Sequence, residues 1–252
     1  MSEIAPAVSS ARCESFSISV VSRTELSGCA PWTSTFTDQR KDYRYYEILD
    51  DTLRGDFEHR YFAIVDSDDQ VRAVQPFFLV DQDILEGLGA ERIHWISWAP
   101  RFYPRFLKLR TLMVGCSAGE AHLAATDALP VEIVAETLSN GIIKQARSLK
   151  AKLIVLKEFP SRYRKVLHCF VQCGFARAPS MPMTMLDIRY DSFDAYMVKA
   201  LKSSSRKKLR KNLEATADVS DIRMSVTDDA ASFVDEIYPL YLQVFERSKM
   251  QF

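Results

Sequence analysis

The chain has 252 residues, 47% of them apolar and 26% charged, the composition of a globular protein with room for one large domain or two small ones. Lysine plus arginine equals aspartate plus glutamate, 33 each, which excludes a global field favouring nucleic acid or an acidic partner and leaves any electrostatic specialisation local. No apolar run approaches the roughly 18–20 residues that span a bilayer, and no basic stretch followed by a continuous apolar one marks a secretory leader.

Five scattered cysteines argue against a disulfide framework and for a reducing, cytoplasmic setting. Residues 1–14, rich in Ser, Ala and Pro without periodicity, read as disordered. Phe16–Val21 alternates and predicts a first, half-buried strand. Pro31 opens a helical region to about Arg54, with Trp32, Phe36, Tyr43, Tyr46 and Leu49 inward. Arg60–Val65 and Val71–Val80 predict a β-hairpin around Asp66-Ser-Asp-Asp-Gln70, whose side chains bond the local backbone in a turn.

Residues 87–110 are aromatic and basic, and Pro100 and Pro104 exclude a regular helix there, so an irregular loop or short helices over a cleft are expected. Its Trp95, Trp98, Phe102 and Tyr103 among arginines would suit either stacked single-stranded nucleic acid or an acyl or peptide cleft. Leu109–Val114 predicts a strand running into Gly115-Cys-Ser-Ala-Gly-Glu120. An apolar stripe at 131, 134, 135, 138, 142, 143, 146 and 149 predicts a helix over Val131–Leu149. Lys152–Leu156 reads as a short buried strand, Ser161–Cys173 as a helix closed by Gly174, and Met181–Ile188 as a last strand. His168, Cys169 and Cys173 lack a second ligand pair and read as core packing, so no metal is expected.

Strands and helices alternating in this order indicate an α/β layer structure with a mixed sheet. Three segments in it resemble the GNAT superfamily of acyl-CoA N-acyltransferases, and more closely its Fem-type group, the peptidoglycan aminoacyltransferases and their acetyltransferase-like relatives. The first is Leu112-Met-Val-Gly-Cys-Ser-Ala-Gly-Glu120. In the family the loop after the fourth strand binds the cofactor pyrophosphate, because bare amides and a helix N-terminus favour an anion. The resemblance assigns Gly115, Ser117 and Gly119 to an acyl-CoA donor; an ordinary strand-exit turn is the alternative reading.

The second is Phe170-Val-Gln-Cys-Gly-Phe175, similar to the end of the last GNAT helix, where family members often carry a tyrosine that protonates the departing thiolate. Phe170 has no proton to give, and Tyr163, seven residues earlier, stands about 10 Å up the axis. The third, Ser192 to Glu214, resembles the basic segment joining the two units of Fem-type proteins. Seven basic residues fall between Lys199 and Lys211 with no acidic one. Arg206, Lys207, Lys208 and Arg210 could clamp a phosphorylated donor or acceptor, grip a tRNA backbone, or form a solvated linker helix.

The resemblance implies a GNAT-like domain over 15–190, a basic helical linker over 191–217, and over 218–252 the truncated beginning of a second GNAT-like unit. In that last part Ile222–Val226 reads as a strand and Asp228–Arg247 as a helix capped by Asp228 or Asp229. Phe233, Ile237, Leu240, Tyr241, Val244 and Phe245 are expected inward. Glu120 and His122, beside the glycine loop, are the candidate catalytic bases, with Glu158 a further carboxylate; surface roles are their alternative, and His59 and His94 read as structural. The chain is read as having no P-loop, no His-Glu-x-x-His and no Gly-x-Ser-x-Gly elbow. The expected activity is transfer of an acetyl or aminoacyl group from a CoA- or tRNA-type donor to an amine, against the alternative of a GNAT-like scaffold or binding module without chemistry.

Overall fold

A computed structural model describes residues 15–83, 108–127, 129–179, 184, 186–217 and 225–248. The expectations for residues 1–14, for His94 and nearly all of the aromatic stretch, and for Ile222 lie outside the described residues. The chain divides into two compact units, Met1–Met181 and Pro182–Phe252.

The first unit is built on one mixed sheet, β1 (Ser17–Val21), β2 (Glu58–Val65), β3 (Val71–Asp83), β4 (Lys108–Val114) and β5 (Leu153–Leu156), lying in chain order. The first four strands pair antiparallel, with Ser17 opposite Val65, His59 opposite Phe78 and Phe77 opposite Val114. β4 and β5 run parallel, Val114 opposite Leu156, and a parallel pair requires a crossover. That crossover is α3 (Val131–Ser148), the helix expected from the apolar stripe. The β2–β3 turn is closed as its sequence predicts: the Asp66 carboxylate accepts the Asp68 and Gln70 amides. The α/β class with a mixed sheet flanked by helices is therefore observed.

Side chains alternate across a strand, so each strand feeds two cores. On one face Phe62, Ile64, Phe77, Leu112 and Val114 pack with Val134, Leu138 and Ile142 of α3. On the other, Tyr61 and Val74 meet Trp32 of α1 (Ala30–Thr33) and Tyr46 and Leu49 of α2 (Tyr43–Thr52). Full burial of each such side chain contributes about 1.5–3 kcal/mol. α3 lies so close to β1 that a Cβ on Gly141 would stand 2.6 Å from Cγ1 of Ile18, and Gln145 donates to the Ile18 carbonyl at 3.0 Å.

Several expectations need correction. The helical region from Pro31 to Arg54 is broken: Phe36 has φ 59°, and α2 starts afresh at Asp42, whose carboxylate accepts the Arg44 amide. Trp32, Phe36, Tyr46 and Leu49 are nevertheless buried as expected, and Tyr43 is half-buried. β5 lies at the edge of the sheet formed by the described strands and is not buried, with Leu153 41% exposed. Ser161–Cys173 is a 3₁₀ turn (Ser161–Arg164) followed by α4 (His168–Gln172).

Gly174 closes α4 with φ 91°. Its amide bonds Val171 and that of Phe175 bonds Phe170, the paired reverse bonds of a left-handed glycine cap. The last predicted strand does not form in its described part: Leu186 and Ile188 belong to no strand and are exposed.

The second unit contributes α5 (Phe193–Ala200), α6 (Ser203–Ala217) and α7 (Val234–Arg247), the last preceded by a 3₁₀ turn (Ala231–Phe233). Ser192 Oγ accepts the Ala195 amide and caps α5, and Asp229 accepts the Ala231 amide ahead of α7. The inward face expected of α7 is not buried: Ile237, Leu240, Tyr241 and Val244 are all more than half exposed. Val226, assigned to a strand by its alternation, is 90% exposed and in none.

Because Gly141 leaves no room for a side chain, Gly141→Val is expected to overpack the α3–β1 contact and cost about 1–3 kcal/mol. Urea unfolding checks this, and Ile18→Val in the same chain should recover part of the loss.

Candidate functional site

β4 leaves the sheet beside a proline. Pro76 of β3 cannot donate to a ladder, and its position falls just past the last β3–β4 pair, where its carbonyl accepts the Gly115 amide. Gly115 turns with φ 126°, a conformation open to glycine. A Cβ there would lie 2.6 Å from Ala121 Cβ and 3.1 Å from the Lys157 carbonyl.

The chain then forms Cys116–Glu120, turns again at Gly119 (φ 94°), and is tied to the segment after β5 by Lys157 N to Val114 O and Ala121 N to Glu158 O. The exits of the two parallel strands are thus fastened into one surface, the place where ligands bind in α/β sheets.

Gln75, wholly buried on β3, holds the next stretch down. Its Nε2 donates to the His122 carbonyl at 3.1 Å and its Oε1 accepts the Ala124 amide at 2.9 Å. Gln75→Leu would leave both backbone groups unpaired in the core, about 1–3 kcal/mol each. Urea denaturation is expected to show that loss, with exchange protection of the Ala124 amide falling first.

Among the described residues the amides of Ser117, Ala118 and Gly119 make no hydrogen bond. The Ala118 carbonyl, in contrast, is crowded: Lys41 Nζ donates to it at 2.8 Å, Cys116 Sγ at 3.2 Å and Tyr45 OH at 3.4 Å. Since N–H and C=O of a trans peptide point opposite ways, the Gly119 amide faces away from Lys41. The ammonium itself lies over Gly119, at 2.5 Å from where a Cβ would be. The mouth of the loop therefore holds a cation with no carboxylate partner among the described residues.

Beyond the loop stands Arg162, 3.9 Å from the Glu120 carboxylate and 2.7 Å from Nδ1 of His122. Arginine only donates, so Nδ1 is the acceptor and the proton of the neutral ring sits on Nε2. Burial first, then Arg162, hold the His122 pKa below its usual range. With its lone pair engaged, His122 has no free basic nitrogen; Glu120, about a third exposed, keeps a carboxylate available.

The structure also joins residues that local reading left apart. His59 of β2 has the parity of Tyr61 and so points toward α2. Its Nε2 lies 3.0 Å from Ser117 Oγ, and its Nδ1, buried without a hydrogen bond, lies 4.0 Å from Oδ1 of Asp50 on α2. The rings of Phe57 and Phe78 flank it.

The sequence signal was present. Gly115-Cys116-Ser117-Ala118-Gly119 is a Gly-x-Ser-x-Gly pattern, which corrects the expectation that the chain has none. It is not the strand–turn–helix elbow of hydrolases, since Ser117 has no left-handed φ and, among the described residues, the next helix after it begins only at Val131.

Gly115, Ser117, Gly119, Glu120 and His122 thus meet at one loop of the first unit. Arg206, Lys207, Lys208 and Arg210 lie on α6 of the second unit, where Arg206 donates to the Val198 carbonyl and the other three are exposed. An open cleft of about 1020 Å³ is lined by Arg23, Glu47, Asp50, Arg54 and His59, among others, and not by the loop. Its arginines are already paired, Arg23 with Glu47 and Asp51 and Arg54 with Asp50 and Asp51, which makes it a poor anion site. No group of three His, Cys, Asp or Glu that could hold a metal occurs among the described residues. Nor is any described helix long and apolar enough to cross a membrane. No protein-family model, curated protein or solved structure matches this chain.

Burial also lowers the pKa of His59 from its ordinary 6.5, as it does for His122. Below that value the unfolded chain binds protons that the native rings resist, so their contribution is intact near neutrality and is lost as the pH falls. The urea midpoint is expected to drop from about pH 7 to about pH 5, and His122→Gln should flatten part of that slope.

Proposed function

We propose that this chain is an N-acyltransferase of the GNAT superfamily, Fem-type group, moving an acetyl or aminoacyl group from a CoA- or tRNA-type donor to an amine in the cytoplasm. The observation that carries the reading is the loop at the exit of the parallel β4–β5 pair. It carries the amides of Ser117, Ala118 and Gly119, unbonded among the described residues, and bare amides favour a phosphate or a developing oxyanion. The element order, four antiparallel strands and a helical crossover into one parallel strand, agrees with the fold that the resemblance implies.

In this reading the donor is held through its phosphates at the loop, and an amine attacks the acyl carbonyl carbon. Glu120 accepts the amine proton as the N–C bond forms and the bond to the leaving group breaks. Tyr45, whose hydroxyl reaches the Ala118 carbonyl, is the phenol beside the loop that could protonate a leaving thiolate. The four free thiols among the described residues suit the reducing cytoplasm. The cations of α6, in the second unit, form an anion contact of their own, suited to a phosphate group or a tRNA backbone.

One observation favours a binding module without chemistry. Phe170, at the position where the family often carries its acidic tyrosine, is 3% exposed in the core and packs on Phe175.

Thermal unfolding with acetyl-CoA is the test. A ligand at about 100 times its Kd should add about 2.7 kcal/mol, and Gly119→Asp should abolish the gain. Stabilisation with acyl transfer to a panel of amines supports the enzyme, and stabilisation without turnover selects the binding module. No response to CoA compounds removes a CoA donor, and a salt-dependent gel shift with charged tRNA then decides the tRNA alternative.

A further inference from the structure

Three side chains from separate elements come into a chain of contacts: Asp50 on α2, His59 on β2 and Ser117 on the loop after β4. Each contact has a physical consequence. The carboxylate 4.0 Å from Nδ1 favours the tautomer with its proton on Nδ1, because a bare nitrogen lone pair facing a carboxylate is repelled. The proton-free nitrogen is then Nε2, which at 3.0 Å accepts the Ser117 hydroxyl proton. The ring is neutral and largely buried, flanked by Phe57 and Phe78, with 7% of its side chain exposed. Ser117 is half-buried, and among the described residues its own amide and those of Ala118 and Gly119 are unbonded.

We propose that Ser117 is a nucleophile activated by His59 and positioned by Asp50, and that it carries the acyl group as a covalent ester during transfer. The donor class, an activated acyl thioester or ester, rests on the acyltransferase reading; the nucleophile itself does not. The route through Ser117 replaces direct attack by the amine with Glu120 as base, the loop amides then facing the carbonyl oxygen instead of a phosphate. In the first step the Ser117 Oγ–C bond forms as the hydroxyl proton passes to His59 Nε2, and the carbonyl electron pair moves onto oxygen, facing the loop amides. The carbonyl re-forms, the bond to sulfur or oxygen breaks, and the leaving group takes the proton from Nε2. In the second step an amine or water attacks the acyl carbon and gives a proton to Nε2, and Ser117 departs and takes that proton back. The enzyme is regenerated, and the acyl group has moved from sulfur or oxygen to nitrogen or water.

Asp50 touches no substrate and acts through the histidine. The motion required is small, since closing Nδ1 to Asp50 from 4.0 Å to hydrogen-bond distance satisfies a buried nitrogen that has no partner in the resting chain.

The full chain is incubated with p-nitrophenyl acetate and, separately, with a fluorophosphonate, and the labelled peptide is identified by mass spectrometry. The expected result is a burst of one p-nitrophenolate per chain and one adduct, on Ser117, absent in Ser117→Ala. Asp50→Asn should slow acylation about 10²–10⁴-fold with KM little changed, a split that a purely structural role would not give. His59→Gln should do the same, with circular dichroism confirming its fold; should it fail to fold, the Asp50→Asn split and the Ser117 adduct decide.

A folded wild-type chain that takes no adduct on Ser117 overturns the proposal, as does labelling that persists at the same rate in Asp50→Asn. Acyl transfer from acetyl-CoA that survives Ser117→Ala overturns the nucleophile while leaving the transferase. A Ser117 burst in a chain indifferent to CoA compounds supports the nucleophile while removing the donor assignment.

Discussion

The chain can leave β4 as it does because one residue lacks a side chain. At Gly115 the backbone turns with φ 126° between Ala121 and the Lys157 carbonyl, which already fill the space a Cβ would need. Pro76 next to it ends the β3–β4 ladder by having no amide to donate, so strand termination and turn occur at one level of the sheet. The fastening of Val114, Ala121, Lys157 and Glu158 follows from that close approach. So does the freedom of the Ser117, Ala118 and Gly119 amides, which lie beyond the strand and make no hydrogen bond among the described residues.

The electrostatics of the loop are set by what surrounds those amides. Lys41 and Tyr45 spend their donors on the Ala118 carbonyl, leaving the opposite edge of that peptide free. Arg162 bridges Glu120 and His122 and removes the histidine from basic chemistry by occupying its lone pair. His59, by contrast, is a neutral ring with an engaged Nε2 and an idle Nδ1. Two buried histidines with pKa values displaced in the same direction by burial therefore have different chemical capacities, decided by which neighbour each faces.

The second unit follows another logic. Its helices are capped by local side chains, Ser192 for α5 and Asp229 ahead of α7, so they form from short-range information. Yet Ile237, Leu240, Tyr241 and Val244 remain exposed along α7, a helix whose stripe calls for a partner. Periodicity proves that a helix has an apolar face; it does not supply the surface that covers it.

The sequence by itself determined the strands of the first unit and its long helix. Alternation at residues 16–21, 60–65 and 71–80 and the stripe through α3 are local patterns with a period, and they place strands and a helix correctly. The glycines at 115 and 119 marked the strand exit, and Gly174 the end of α4, because glycine's conformational freedom is a property of one residue.

Less was legible where the cause is not periodic. The break at Phe36 and the loss of a strand at Leu186 and Ile188 depend on what each segment packs against or fails to find. Only the tertiary structure brought Asp50 and His59 to Ser117, and Gln75, Lys41 and Arg162 to the loop. Those meetings are fixed by the register of β2 through β4 and by the seat of α2 on the sheet, distances that no stretch of neighbouring residues encodes.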